Sequence, residues 1–213
     1  RCIDTTFDKA DLTGCLGVDS TATGARFVSA RLTGSDFSNA QLNKACFDKA
    51  DLVGCRFSKA SLVDADFSNA TATGADFSAA NLSGSRIMGA TDFSSALFVG
   101  ATLSGASWED LQGQGLDCRQ VNAKDARFER CHFNGSRWSR ASLRKTTFAG
   151  SWLQQANLER IDLLNGSLRG AHLGKATLRE ANLHGVDLYR AAVDADTDLE
   201  KADLSATCLG IEP

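Results

Sequence analysis

The sequence predicts an all-β fold in which the chain winds into four-sided coils and neighbouring coils pair as short parallel strands. The first observation is a period of five: a large apolar residue recurs at every fifth position along nearly all of the 213 residues. The second is a small residue, usually Ala, Ser or Cys, two positions before each large one. The third is that the single proline is the last residue, Pro213. Every coil of such a fold must donate backbone N–H groups to its neighbour, and proline has none to donate.

A period of five fits neither an α-helix, with about 3.6 residues per turn, nor a flat strand, with an alternation of two. It fits a chain that turns a corner every five residues and points one large and one small side chain inwards on each side. Four sides close a coil of twenty residues, and stacked coils lie about 4.8 Å apart. The chain length then corresponds to roughly ten coils.

Coils of twenty residues place every fourth large residue in one inward column. In the first half, this arithmetic predicts phenylalanine on two opposite walls and leucine on the other two, which fills a square cross-section. Rings lining a ligand pocket are the alternative, but the inward position of every ring favours a packed core. The arithmetic also places Trp108 and Trp138 in different columns. The predicted aromatic core comprises Phe27, Phe37, Phe47, Phe57, Phe67, Phe77, Trp108, Phe128, Trp138 and Phe148.

The period is disturbed at three places. Single extra residues occur near 88–92 and 194–198, where we expect local bulges at corners. Over residues 109–125, the positions for large residues hold small ones such as Gly113, and the positions for small residues hold large ones. A shifted register would bury charged side chains without partners, at a cost of roughly several kcal/mol. We therefore expect one irregular coil at 109–125, bulged or repacked, in which the exchange of sizes keeps the enclosed volume.

Short motifs of alanine, Asp or Asn, and a large apolar residue recur along the chain. Clear examples are Ala10-Asp11-Leu12, Ala50-Asp51-Leu52, Ala80-Asn81-Leu82, Ala156-Asn157-Leu158, Ala181-Asn182-Leu183 and Ala202-Asp203-Leu204. They match the A-[DN]-[LF]-x-x motif of pentapeptide-repeat proteins, which the chain resembles over residues 2–211. The resemblance implies a right-handed quadrilateral β-helix in a single domain over that range. Terminal coils need caps, so we expect the domain to associate end to end or, as we favour, to belong to a longer chain.

Composition and motifs exclude several function classes. The net charge of −3 argues against a strongly basic nucleic-acid-binding protein, and no apolar run is long enough to span a membrane. The seven cysteines form no C-x-x-C pair, and no nucleophile–base arrangement or phosphate-binding loop is present. We therefore expect no enzymatic activity, small-molecule substrate, metal or cofactor. Cys15 and Cys55 lie beyond disulfide reach, which favours reduced thiols and a cytoplasmic location, with a secreted effector as the alternative.

Positive charge is concentrated in the middle of the chain. Residues 111–150 carry eight Lys or Arg against three Asp or Glu, and the parts on both sides are acidic. One interpretation is a solvated surface of mixed charge, and the other is a docking surface for an acidic protein. By the spacing of twenty, Arg119, Arg137, Arg140 and Arg160 should share one face. The full set of candidate docking residues is Arg119, Arg127, Arg130, Arg137, Arg140 and Arg160.

Two non-catalytic functions fit these features. The irregular aromatic- and arginine-containing units resemble the C-terminal pentapeptide domains of type VI secretion accessory proteins, which implies a protein-binding scaffold or adaptor in a bacterial secretion system. The length and rod shape also resemble those of quinolone-resistance pentapeptide proteins, which look like duplex DNA and engage gyrase. Those proteins are markedly acidic, whereas this chain has a basic middle. We therefore expect the scaffold, with the gyrase-binding DNA mimic as the alternative.

Overall fold

Parallel pairing between residues about twenty positions apart runs through residues 1–208, the part of the chain that the computed structural model describes. Thr6, Asp11, Leu16 and Thr21 each pair with the residue twenty positions later, so that every coil has four sides. We number these sides 1 to 4 in that order, with sides 1 and 3 opposite each other and sides 2 and 4 opposite each other. The final part of the predicted range, including Leu209, lies outside the described residues.

The longer strands all belong to side 1. Strand β1 spans Arg86–Ile87, β2 spans Ser107–Glu109 and β3 spans Arg127–Glu129, and they form one parallel sheet in the order β1-β2-β3. The other strand pairings between coils within residues 1–208 are isolated parallel pairs of residues. Residues 1–208 contain no helix, and thus none that is long and apolar enough to cross a membrane.

Within residues 1–208, each corner except the one near 194–198 is a tight turn that places a residue in the left-handed conformation. The turn closes with a backbone bond such as the one from Ala10 N–H to the Phe7 carbonyl, at 3.0 Å. Non-glycine residues occupy many of these positions, among them Lys59 and Arg140, both with φ of 60°. This conformation costs roughly 1–2 kcal/mol for a non-glycine residue. The corner residue's own N–H is bonded to the next coil, as in the 2.9 Å bond from Lys59 to the Ser78 carbonyl, which helps to hold the turn.

Stacked rings form the core of the first coils. On side 1, the centroid of the Phe47 ring lies 5.0 Å from that of Phe27 and 5.1 Å from that of Phe67, with nearly parallel planes. On side 3, Phe57 stacks on Phe77 in the same way, and it meets Phe47 edge to face across the core at 5.7 Å. All ten aromatic residues expected in the core are buried.

Two tryptophans continue these columns farther along the chain. Trp108 lies on side 1, where its ring is tilted by 53° against that of Phe128, and Trp138 lies on side 3. Each buried indole N–H has an acceptor: Trp108 donates to the Ser85 hydroxyl at 3.2 Å, and Trp138 donates to the Ser136 hydroxyl at 2.8 Å. Small inward serines therefore satisfy the polar atoms of the largest core residues.

Both extra residues are absorbed at corners. Arg86 pairs with the residue twenty positions earlier, whereas Asp92 pairs with Thr71, twenty-one positions earlier. The same step occurs between Ala192, which pairs twenty positions back, and Asp198, which pairs twenty-one positions back. The coils resume their stacking immediately after each extra residue, as the sequence predicts.

The coil at 109–125 keeps its register. Asp117 pairs with Arg137 at the usual spacing of twenty, as do its neighbours on sides 2 and 4. Leu116, at a position meant for a small residue, is fully buried, and a Cβ atom built on Gly113 would lie 2.8 Å from its Cδ1 atom. Leu116 therefore fills the space that Gly113 leaves. The irregularity is an exchange of side-chain sizes within unbroken parallel pairing.

Candidate docking face

Four of the six candidate arginines lie close together around one corner. Arg119, Arg140 and Arg160 follow the large residues of side 3 in three successive coils, so they line the corner between sides 3 and 4. Arg137 lies beside this corner on side 3, where it pairs with Asp117. This cluster agrees with the spacing of twenty.

The other two candidates lie elsewhere, so the six arginines do not form one surface. Arg127 is the first residue of β3 on side 1, and Arg130 follows at the corner between sides 1 and 2. The reason is their spacing, because ten residues separate Arg127 from Arg137, which places these two on opposite sides of a twenty-residue coil. Arg130 is diagonally opposite the corner that holds Arg140.

Internal ion pairs offset much of the positive charge on side 3. The Arg119 guanidinium donates to both carboxylate oxygens of Asp117, at 2.8 and 2.7 Å, and Arg137 approaches the same carboxylate to 3.7 Å. Burial alone would raise the pKa of Asp117, but the hydrogen bonds from Arg119 and the charges of Arg119 and Arg137 lower the pKa below its ordinary value.

Arg160 and Arg130 are also paired. Arg160 binds Glu180 through Nε at 2.7 Å, and this contact lowers the pKa of the Glu180 carboxyl group. Arg130 binds Asp110 at 2.9 Å and also contacts Glu109, which raises the pKa of its guanidinium. These contacts fix the orientation of both guanidinium groups and reduce the charge that they present to a partner.

Two cations on either edge of side 4 have no such partner. Within residues 1–208, neither Arg140 nor Lys145 forms an ion pair, and both are exposed. Arg140 lies at the corner before side 4 and Lys145 at the corner after it, with Ser142 between them. We define the basic face as this part of side 4 with its two corners, formed by Arg119, Arg140, Arg160, Lys124, Arg144 and Lys145.

A groove lies along one edge of the basic face. Its volume is about 310 Å³, and charged or polar side chains provide most of its lining. Val99 provides an apolar wall, and Leu97, in the same coil of side 3, leaves 40% of its surface exposed. The remaining lining residues are Arg119, Gln120, Ser139, Arg140, Glu159 and Arg160. The arrangement offers an unpaired guanidinium next to a small apolar surface.

The potential metal ligands and the cysteines of the described residues are dispersed along the coils. Within residues 1–208, no group of three His, Cys, Asp or Glu side chains is arranged to hold a metal ion, and all seven cysteines are unpaired. Burial raises the pKa of the Cys55 and Cys131 thiols to about 12. Such thiols are almost entirely protonated near neutral pH and are poor nucleophiles.

The sequence analysis missed an aromatic column on the outside of side 2. The ring of Trp152 stacks on His132 with centroids 4.1 Å apart and on His172 with centroids 5.7 Å apart. We call these three residues the ring ladder. A signal was available, since Trp152 is the one tryptophan outside the large inward positions and lies twenty residues from each histidine.

Three solved structures resemble this chain. HetL, a pentapeptide repeat protein involved in heterocyst differentiation regulation in the cyanobacterium Nostoc sp. strain PCC 7120, shares 24% identity over 95% of this chain and 88% of its own, with a TM-score of 0.49. A trypsin-treated form of QnrB1, a plasmid-mediated fluoroquinolone resistance protein, shares 23% identity over 87% of this chain and 90% of its own, with a TM-score of 0.45. A pentapeptide repeat protein from the thylakoid lumen of Arabidopsis thaliana shares 29% identity over 53% and 71%, with a TM-score of 0.29.

Comparison with protein-family models identifies the family of this chain. No curated protein matches this sequence. The model described as a pentapeptide repeat region matches residues 20–91, and the model described as pentapeptide repeats (8 copies) matches residues 124–160 and 156–191. These matches cover most of the chain on both sides of the irregular coil. With the five-residue period and the twenty-residue parallel register, they show that the chain belongs to the pentapeptide repeat family.

Proposed function

We propose that this protein is a non-catalytic scaffold that binds an acidic segment of another protein through the basic face. The observation that carries the proposal is the unpaired guanidinium of Arg140 in the wall of a groove of about 310 Å³. A carboxylate that enters this groove meets a cation without displacing an internal ion pair. Electrostatic complementarity of this kind chiefly supports the association rate and the choice of partner.

The neighbouring arginines add orientation to this site. Arg119 and Arg160 are held on either side of Arg140 by Asp117 and Glu180. The exposed Arg160–Glu180 pair contributes little to stability and the Asp117–Arg119 pair involves a buried carboxylate, but both keep a guanidinium group in place at the groove. Their remaining N–H groups can donate to a partner's carboxylate with little loss of side-chain freedom.

The apolar wall defines the partner further. Protein interfaces combine an apolar centre with a polar rim, and Leu97 and Val99 provide such a centre beside the cations. We therefore propose that the partner segment carries carboxylates together with an aliphatic side chain. A segment with carboxylates alone would leave this apolar surface uncovered.

We propose that the protein acts as an adaptor in a bacterial secretion system. In this proposal the domain is one continuous right-handed solenoid of about ten coils and belongs to a longer chain.

The gyrase-binding DNA mimic is the second candidate function, because the charge of the middle region does not suit it. Such a mimic must present carboxylates at roughly the spacing of phosphates along its docking surface. Residues 111–150 instead have eight basic against three acidic residues, and the unpaired cations Arg140 and Lys145 lie among them.

A charge-reversal experiment with matched controls tests the proposal. The variant Arg140→Glu/Lys145→Glu removes the two unpaired cations. The control Lys59→Glu/Lys44→Glu reverses the charge of two lysines in the same two corner columns, four and five coils away, at residues that are also exposed and have φ of 60° and 59°. The probe is a fluorescent peptide of alternating Glu and Leu, followed by anisotropy at several salt concentrations.

The proposal predicts that the double variant weakens peptide binding at least about tenfold while the control stays within about twofold. Wild-type binding should weaken steeply as NaCl rises from about 0.05 to about 0.5 M. Equal binding by the double variant and the wild type would show that the basic face is a solvated surface. Tighter binding of a DNA duplex than of the peptide at physiological salt would also contradict an acidic protein partner.

A further inference from the structure

We infer that side 2 carries a second docking face, centred on Trp152, which binds an uncharged segment of a partner protein rich in hydrogen-bond acceptors. This inference is independent of the basic face and adds a second partner to the scaffold. Its basis is the ring ladder together with the lack of Asp, Glu, Lys and Arg in residues 112–115, 132–135 and 152–155.

The ring ladder presents the edges of its rings to a partner. The ring planes of His132 and Trp152 differ by 8°, and those of Trp152 and His172 differ by 10°. The two imidazoles therefore cover both faces of the indole, and the solvent-facing surface consists of ring edges. Aromatic edges carry the positive end of the ring quadrupole, and the indole edge includes an N–H donor. Within residues 1–208, that N–H has no hydrogen-bond acceptor.

Acceptors on the partner complement these edges. Amide side chains line the ladder, including Asn134, Gln154 and Gln155. The Asn134 carbonyl oxygen already accepts a bond from the Gln154 backbone N–H at 3.2 Å, so its NH₂ group is the part available to a partner. A segment with many backbone or amide carbonyl oxygens fits both the amide donors and the ring edges.

The lack of charge distinguishes this face from its surroundings. Side 2 carries no charged residue in 112–115, 132–135 or 152–155, although the other three sides of the same coils hold the basic residues of the middle region. Arg130 and Lys175 mark its borders. An uncharged surface costs the least to remove from water, and depletion of charge is typical of the centre of protein interfaces. Charge complementarity therefore selects a neutral partner segment here.

Glycines occupy several corner positions beside the ring ladder. Gly150 and Gly170 follow side 1 in successive coils, two residues before Trp152 and His172, and they place no side chain beside the rings. On the other flank, a Cβ atom built on Gly135 would meet no atom within 4 Å. These glycine corners therefore place no side chains of their own against the Trp152 and His172 rings. A tryptophan in such a position has the character of a binding hot spot.

A neutral sugar is the competing ligand, since aromatic and amide side chains also suit hydroxyl groups. Stacking of a sugar ring requires a free aromatic face, and both faces of Trp152 are occupied by imidazoles. The geometry therefore favours the protein segment. Because sides 2 and 4 are opposite each other at the same coils, the two docking faces can hold two partners at once.

Selection of random peptides displayed on phage tests this inference. The immobilised wild-type protein is the target, and selected peptides are then measured on Trp152→Ala, on Trp152→Phe and on the control Thr71→Ala. Thr71 occupies the same outward column of side 2, four coils from Trp152, and is solvent-exposed, whereas Trp152 is half-buried. Thermal unfolding followed by circular dichroism confirms that each variant keeps its fold, since all three changes are at outward positions.

The expected result is a set of uncharged peptides whose affinity falls at least about tenfold in Trp152→Ala, falls less in Trp152→Phe and is unchanged in Thr71→Ala. Their affinity should not change with salt, and they should bind together with the Glu/Leu peptide. Peptides that bind wild type and Trp152→Ala equally would overturn the inference. So would selected peptides that are acidic and displaced by salt, or binding of uncharged oligosaccharides that is lost in Trp152→Ala.

Discussion

The Arg119 guanidinium donates two hydrogen bonds to the Asp117 carboxylate, through Nε at 2.8 Å and Nη2 at 2.7 Å, although only two residues separate them in the sequence. The carboxylate is 8% exposed, whereas the arginine side chain is 48% exposed. A buried acid at the edge of a basic surface thus neutralises one cation and holds it in place. The positive charge visible in the sequence is therefore greater than the charge that the surface offers.

Replacing Asp117 by Asn should lower the free energy of unfolding at neutral pH by about 1–3 kcal/mol, because the charged hydrogen bonds to Arg119 are lost. The pKa of Asp117 is lowered by folding, so its contribution is fully present above the unfolded pKa of about 3.9 and is lost as the pH falls through the lower folded value. Urea unfolding at pH 7 and near pH 2 measures this difference. The exposed control Asp125→Asn should change little, and an equal effect at both pH values would contradict the prediction.

Replacing Phe47 by Arg should prevent folding. Phe47 is fully buried between two stacked rings at 5.0 and 5.1 Å, so the substitution places a charge without a partner in the core. The control Phe47→Leu keeps an apolar side chain and should cost only about 1–3 kcal/mol. Circular dichroism and solubility separate the two outcomes. A soluble, native-like Phe47→Arg protein would contradict the inward register.

Gly113 and Leu116 should show strong coupling in a double-mutant cycle. A Cβ atom on Gly113 would lie 2.8 Å from Leu116 Cδ1 and 2.9 Å from Phe133 Cδ1, so Gly113→Ala alone should be destabilising. Leu116→Ala alone should cost about 2–5 kcal/mol by leaving a cavity. In the double variant, part of the added methyl group occupies that cavity, and the combined loss should be smaller than the sum. Additive losses in chemical denaturation would show that the two side chains do not share one space.

The cysteines should divide into two classes in a thiol titration. Cys55, Cys118 and Cys131 are buried, and burial raises the pKa of Cys55 and Cys131 to about 12. At pH 8 their thiolate fraction is on the order of one in ten thousand. A chromogenic disulfide reagent should therefore leave these three unmodified in the native protein and modify all seven cysteines after denaturation. Rapid native reaction of Cys131, identified by mass spectrometry, would indicate that its coil opens.

Much of the core could be predicted from the sequence because two spacings, five and twenty residues, determine which side chains point inwards and which of them stack. The period of five selects the inward residues, and the coil of twenty selects which of them stack, as Phe27, Phe47 and Phe67 do. The same arithmetic separates Trp108 from Trp138. Applied to the outward arginines, it also predicts the shared face of Arg119, Arg137, Arg140 and Arg160, which leaves Arg127 and Arg130 elsewhere. Applied to Trp152 as well, it would have placed this residue between two histidines.

The charge that the basic face presents could not be predicted in this way. Whether the Arg119 guanidinium is free depends on the rotamer that turns it back to Asp117. Arg140 has no ion-pair partner among residues 1–208 because Gln120 and Arg160, neither of them acidic, flank it in its corner column. Side-chain geometry of this kind is not encoded in the repeat. The exchange of sizes at Gly113 and Leu116 was recognisable in the sequence, but only packing determines that it preserves the register.

The intact protein should not inhibit gyrase supercoiling at low micromolar concentration. An inhibitor that mimics DNA competes for a surface that binds phosphates, so its own docking surface must be densely negative. In this chain, the middle region 111–150 has eight basic against only three acidic residues, and one of the acids, Asp117, is engaged by Arg119. Arg140 and Lys145 have no ion-pair partner within residues 1–208. Placing such a surface against a DNA-binding channel would bring like charges together. A supercoiling assay with the wild type and Arg140→Glu/Lys145→Glu tests this prediction. If the wild type inhibits gyrase and the charge reversal leaves that inhibition unchanged, the charge argument is refuted and the DNA mimic becomes the leading function.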